Sequence, residues 1–74
     1  MEQQINEIDF SKDLEFINSN KEMNDINYIA YCLNKSTQTI NNYLNGTSKE
    51  PIILKAIIEK AYEALSKRGI SSVN

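Results

Sequence analysis

A chain of 74 residues buries only about 60% of the surface it exposes when unfolded, so it has room for one core and one domain. Its 41% hydrophobic and 24% charged residues exclude wholesale disorder, and two glycines with one proline argue against a many-turned β sandwich. The net charge of −2 gives the chain as a whole no attraction for a polyanion, so any such attraction must come from how the charges are distributed.

That distribution is uneven. Residues 1–25 carry seven acids against two lysines, whereas residues 26–49 carry Lys35 and Lys49 and no acid. Residues 50–74 carry three acids against three lysines and Arg68. The single cysteine, Cys32, has no partner for an intramolecular disulfide, and with no histidine in the chain no zinc or other metal site is expected. A reducing cytoplasm suits this inventory. The start Met1-Glu2-Gln3-Gln4 does not read as a signal peptide, and the longest aliphatic run, Ile52-Ile53-Leu54, falls far short of the about 20 residues that span a bilayer. Without a histidine, a glycine-rich phosphate loop or a nucleophile beside an evident base, no enzymatic activity, cofactor or small-molecule ligand is expected.

The expected architecture is all-α: a compact four-helix domain over residues 9–69, with tails at 1–8 and 70–74. Phe10, Leu14 and Ile17, spaced i, i+4, i+7, predict a short first helix capped by Asp9 or Ser11 and stopped at Asn18-Ser19-Asn20. A second helix begins near Asn24 or Asp25, turns Ile26, Ile29, Ala30 and Leu33 inward, and ends at Asn34, which tolerates the left-handed conformation of a tight turn. Phe16, Met23, Tyr28 and Cys32 read as core or rim packing. Ser36 then caps a third helix whose inward face is Ile40, Tyr43 and Leu44, with Thr37, Gln38, Asn41, Asn42 and Asn45 opposite, and Gly46 stops it. Pro51 opens a long last helix, 51–68, with Lys67 and Arg68 at its negative end and Gly69 after it. Its apolar arc of Ile53, Leu54, Ile57, Ile58, Ala61, Tyr62, Ala64 and Leu65 covers about half the wheel, more than a single contact stripe of about 100° requires. Either the surplus is a partner surface or the helix buries both flanks within the domain.

Two helices joined by a three-residue turn, the second polar outside and apolar inside, satisfy the helix-turn-helix motif over residues 26–45. The run Ile29-Ala30-Tyr31-Cys32-Leu33-Asn34-Lys35-Ser36-Thr37-Gln38-Thr39-Ile40-Asn41-Asn42-Tyr43-Leu44-Asn45-Gly46 resembles the core of lambda-repressor-like and Cro-like regulators. Ala30 matches the small residue where the paired helices touch, Ile29, Leu33, Ile40 and Tyr43 match buried positions, and Leu44-Asn45-Gly46 matches the end of the recognition helix. Two positions depart from the pattern: Asn34 stands where glycine is usual and Lys35 where an aliphatic residue is usual. One long carboxy-terminal helix also replaces the family's fourth and fifth.

The resemblance implies that helix 37–45 enters the major groove of double-stranded DNA with Thr37, Gln38, Asn41 and Asn42 nearest the base edges. Amide side chains suit that role because they can pair with adenine N6 and N7, although a row of amides also makes an ordinary solvated face. Asn27, Lys35, Ser36, Thr47 and Lys49 flank it as phosphate contacts. Tyr31 projects outward, with a phosphate, a partner or solvent all open to it. The resulting expectation is a sequence-specific transcriptional regulator, of the compact sort carried by phages and mobile elements. It is expected to bind as a homodimer through Ile53, Ile57 and Ala64, with Leu54, Ile58, Ala61 and Leu65 left to fill the core. The alternative is a helix-turn-helix adaptor that binds a protein through its acidic amino-terminal part or its last helix.

Overall fold

A computed structural model describes residues 9–70; the tail expected at 1–8 and all but Ile70 of the tail expected at 70–74 lie outside the described residues, and Ile70 packs against the core rather than belonging to a tail. Four helices follow one another: α1 (Ser11–Asn20), α2 (Met23–Leu33), α3 (Thr37–Leu44) and α4 (Pro51–Lys67), and among the described residues there is no strand. The all-α, four-helix expectation therefore holds.

The helix ends follow local chemistry. The Asp9 carboxylate accepts the Ser11 N–H at 3.0 Å at the start of α1. Helix α2 starts at Met23, earlier than Asn24 or Asp25 would allow as caps: Glu22 is the cap, and Asp25, three residues on, reaches back to accept the Glu22 N–H at 2.8 Å. A carboxylate inside the first turn also meets the positive end of the helix dipole. At the far end of α4, Gly69 takes φ +82°, a conformation that costs glycine no Cβ clash. Bonds from Gly69 N–H to the Ser66 carbonyl and from Ile70 N–H to the Leu65 carbonyl, both 2.9 Å, close a Schellman turn that folds half-buried Ile70 against the core.

Helix α4 is the axis of the packing, lying against α1, α2 and α3 in turn. Ile17, Ile26, Ile29, Ile40, Tyr43 and Leu44 meet Leu54, Ile57, Ile58, Ala61 and Leu65 in one core. The division of the α4 apolar face drawn from the sequence is corrected here. Ile57 is fully buried and Ala64 is 5% exposed, while Ile53 is half-buried against the core, so these three do not form an exposed strip for a second copy. A helix that contacts three neighbours needs a wider apolar arc than one that contacts a single partner, and the surplus is consumed within the domain. The apolar side chain left outside is Ile52, at 85% exposure. Phe16 stacks on Tyr62 with ring centroids 5.8 Å apart, fixing the outer edge of α1 on α4. Met23, expected to pack in the core or at its rim, is instead exposed.

Long-range polar contacts tie the frame together. Arg68 donates to both carboxylate oxygens of buried Asp25, at 3.1 and 2.7 Å, and to the Asn20 carbonyl at 2.7 Å. The bidentate guanidinium holds the Asp25 carboxyl below its usual range against the opposing effect of burial. Tyr62 donates to Asp13 at 2.6 Å, and burial, reinforced by that carboxylate, pushes the phenol up to about 12. Tyr28 donates to Glu63 at 2.6 Å beneath the ammonium of Lys67, which lies 4.3 Å from the ring centre.

Candidate nucleic-acid interface

The turn between α2 and α3 is built from backbone upward. Asn34 occupies the left-handed region at φ 55°, ψ 47°, so the asparagine standing at the usual glycine position makes the turn as expected. Bonds from Asn34 N–H to the Tyr31 carbonyl (3.3 Å) and from Lys35 N–H to the Ala30 carbonyl (3.0 Å) close a second Schellman motif. Lys35 occupies the position after the left-handed residue, where an apolar side chain would fold back on the helix; its own side chain is exposed. Ser36 caps α3, its hydroxyl oxygen accepting the Thr39 N–H at 3.1 Å and sharing a 3.0 Å bond with the Thr39 hydroxyl. The Ser36 hydroxyl is thus engaged in holding the helix start.

The inner face of α3 is sealed by buried Ile40, Tyr43 and Leu44, and buried Ala30 is small enough to let α2 and α3 approach. The outer face presents Thr37 and Gln38 exposed, with Asn41 and Asn42 half-buried one turn further on. Gln38 Nε2 donates to Asn42 Oδ1 at 3.1 Å, joining two of the four base-reading candidates side by side. Asn27, Lys35, Ser36, Thr47 and Lys49, the phosphate candidates, are all exposed.

The far end of α3 is held by residues that local pattern did not single out. Asn18 Nδ2 on α1 donates to the Leu44 carbonyl at 3.0 Å, satisfying one of the carbonyls a helix end leaves open. Tyr43 donates its phenolic proton to Glu50, a carboxylate that also raises the Tyr43 pKa, and Ser48 N–H returns to the Asn42 carbonyl at 3.0 Å. Gly46, at φ +87°, starts the chain reversal, and Asn45 Oδ1 accepts the Thr47 N–H at 2.9 Å. Asn18 lies 26 residues from its acceptor, and no signal in the sequence around it points there.

Charge follows the same division. Asp13, Glu22, Asp25, Glu50 and Glu63 are each bonded to a tyrosine, a lysine or Arg68, whereas Lys35 and Lys49 carry no ion pair among the described residues. The segment that carries the polar face of α3 thus holds two cations without an ion pair among the described residues, and no acid.

Two further surfaces can be distinguished, the second of which shares Lys49 with the set above. Met23 (69% exposed) and Tyr31 (86% exposed) lie eight residues apart on the outer side of α2. A groove with a volume of about 400 Å³ opens between the start of α1 and the start of α4, lined by Phe10, Leu14, Tyr43, Lys49, Pro51 and Leu54. Among the described residues no helix is long and apolar enough to cross a membrane, and no three His, Cys, Asp or Glu side chains gather as a metal site. No family model, curated protein or solved structure matches the chain.

Proposed function

We propose that the protein is a sequence-specific regulator that binds double-stranded DNA by laying α3 in the major groove. The observation that carries this reading is the outer face of α3: an exposed, uncharged, hydrogen-bonding surface on a helix fixed at both ends, flanked by Lys35 and Lys49 in a segment without acid. Thr37, Gln38, Asn41 and Asn42 are the base-reading set. Lys35, Lys49, Asn27 and Thr47 hold phosphates, and Ser36 contributes by fixing the start of the helix. The likeness of residues 29–46 to lambda-repressor-like regulators belongs to this reading, as does a cytoplasmic setting in which Cys32 stays a free thiol.

One recognition helix of eight residues meets few bases, so the reading includes two copies on an inverted repeat with half-sites about 34 to 36 Å apart. The apolar side chain open to that pairing is exposed Ile52, which a two-fold axis would bring against the same residue of the second copy. Titration of a fluorescent random-sequence duplex at about 50 and 200 mM salt tests DNA binding. Binding that weakens steeply with salt is the expected result, and no binding at the lower salt would reject the proposal.

A second reading is favoured by the exposed Met23 and Tyr31 on α2, an apolar and amphipathic pair suited to a protein partner. On that reading the chain is an adaptor, and the same titration shows no complex.

A further inference from the structure

The side chains of α3 restrict which bases the helix can read. In the major groove, guanine O6 and N7 are taken by arginine or lysine, and the cytosine N4 amino group by a carboxylate. Adenine N6 and N7 are taken by the amides of asparagine or glutamine, and the thymine methyl by small apolar contacts such as the threonine methyl. Helix α3 contains no arginine, lysine, aspartate or glutamate. Of the four pairings, its outer face supplies only the two that belong to A·T.

The bonding within the face narrows the set further. The hydroxyls of Ser36 and Thr39 are bonded to each other, and that of Ser36 also accepts the Thr39 N–H, which leaves Thr37 to offer a methyl and a hydroxyl. Gln38 and Asn42 are joined by the 3.1 Å amide contact. A primary amide has two N–H hydrogens and two carbonyl lone pairs, so this contact uses one hydrogen of Gln38 and one lone pair of Asn42. Each side chain keeps an acceptor and a donor for a partner, which is what adenine N6–H and N7 require. The contact also holds the two amides in a fixed relation before any DNA arrives, reducing the side-chain freedom lost on binding.

We infer that the read positions of the half-site are A·T pairs, with an adenine gripped through its major-groove edge by Gln38 acting as a unit with Asn42, and thymine methyls packed against Thr37. The inference rests on α3 being the groove-binding helix and adds the base class it selects.

Selection by the full chain from a random duplex pool, followed by sequencing, tests it together with the chemistry of the selected site. The expected outcome is a half-site core enriched in A·T. Replacing an enriched adenine by 7-deazaadenine, which lacks only the N7 acceptor in the major groove, should weaken binding by about 5-fold or more at the position that Gln38 reads. Gln38→Ala should abolish the base preference at that position, and Gln38→Ala with Asn42→Ala should cost less than the two single changes multiplied together. Both variants should melt as the wild type does, because neither side chain contributes to the core. DNA retained with a G·C-rich core overturns the inference while leaving DNA binding in place. So does an A·T-rich core indifferent to 7-deazaadenine, since that marks readout of minor-groove shape. A pool from which no DNA is retained removes the groove-binding reading itself.

Discussion

The turn joining α2 to α3 and the clasp joining α2 to α4 solve different problems. The turn is held by bonds that span a few residues: Asn34 in the left-handed region, Lys35 N–H on the Ala30 carbonyl, Ser36 capping Thr39. The clasp is held by Arg68 reaching Asp25 across 43 residues, and Tyr62–Asp13 ties α4 to α1 over 49 residues as Asn18–Leu44 ties α1 to α3 over 26. Short-range bonds fix the shape of the proposed reading unit, and long-range ones fix that unit to its scaffold. Damage to the scaffold should therefore appear as lost stability, and damage to the outer face of α3 as lost binding with stability intact.

The largest expected effect is at the centre of the scaffold. Ile57→Lys places an ammonium where the native side chain has no exposure, at a cost of more than about 4 kcal/mol. A domain of this size has a total stability of roughly 4 to 11 kcal/mol, so the variant should be largely unfolded by circular dichroism. A folded Ile57→Lys variant would mean that α4 packs differently.

Next is the clasp. Arg68→Ala leaves a buried carboxylate without its bidentate partner and should lower the urea midpoint, by less than Ile57→Lys does, because the Arg68 side chain keeps 29% exposure. The Asp25 carboxyl titrates lower in the folded chain than its unfolded value of about 3.9, so its stabilisation is complete above that pH and is lost as the pH falls through the folded value. Urea unfolding should show a decline in stability below about pH 4 that is shallower in Asp25→Asn. Identical slopes would assign the acid sensitivity to other carboxylates.

Smaller still is the effect of the flanking cations. Lys35→Gln or Lys49→Gln should change stability by less than about 0.5 kcal/mol, since both side chains are exposed. Each should lower the slope of log K against log salt by about 0.9 on all duplex sequences alike. An unchanged slope in both variants would separate the lysines from the phosphate backbone.

The same contrast explains what was legible in the sequence. Asn34, Ser36, Gly46, Pro51 and Gly69 mark their own helix ends because a cap or a left-handed turn depends on the residue and its immediate neighbours. The outer and inner faces of α3 followed from periodicity alone. The apolar arc of α4 was legible as an arc, but whether Ile57 and Ala64 faced the core or a second copy depended on how many helices α4 touches, which periodicity does not encode. The start of α2 was displaced because Asp25 serves both the helix end and Arg68, and nothing near Asp25 announces a cation so distant in sequence. Among the candidate site residues, the pairing of Gln38 with Asn42 is implied by their one-turn spacing, whereas the anchoring of the Leu44 carbonyl by Asn18 is not.

The central claim is that the outer face of α3 meets DNA. Mapping backbone amide shifts of isotopically labelled protein by NMR during titration with a duplex tests it residue by residue. The account predicts the largest changes across residues 35–42 and at Asn27, Thr47 and Lys49, with Met23 and Tyr31 on the outer side of α2 little affected. Changes confined to that side of α2, or none at all at low salt, would contradict it.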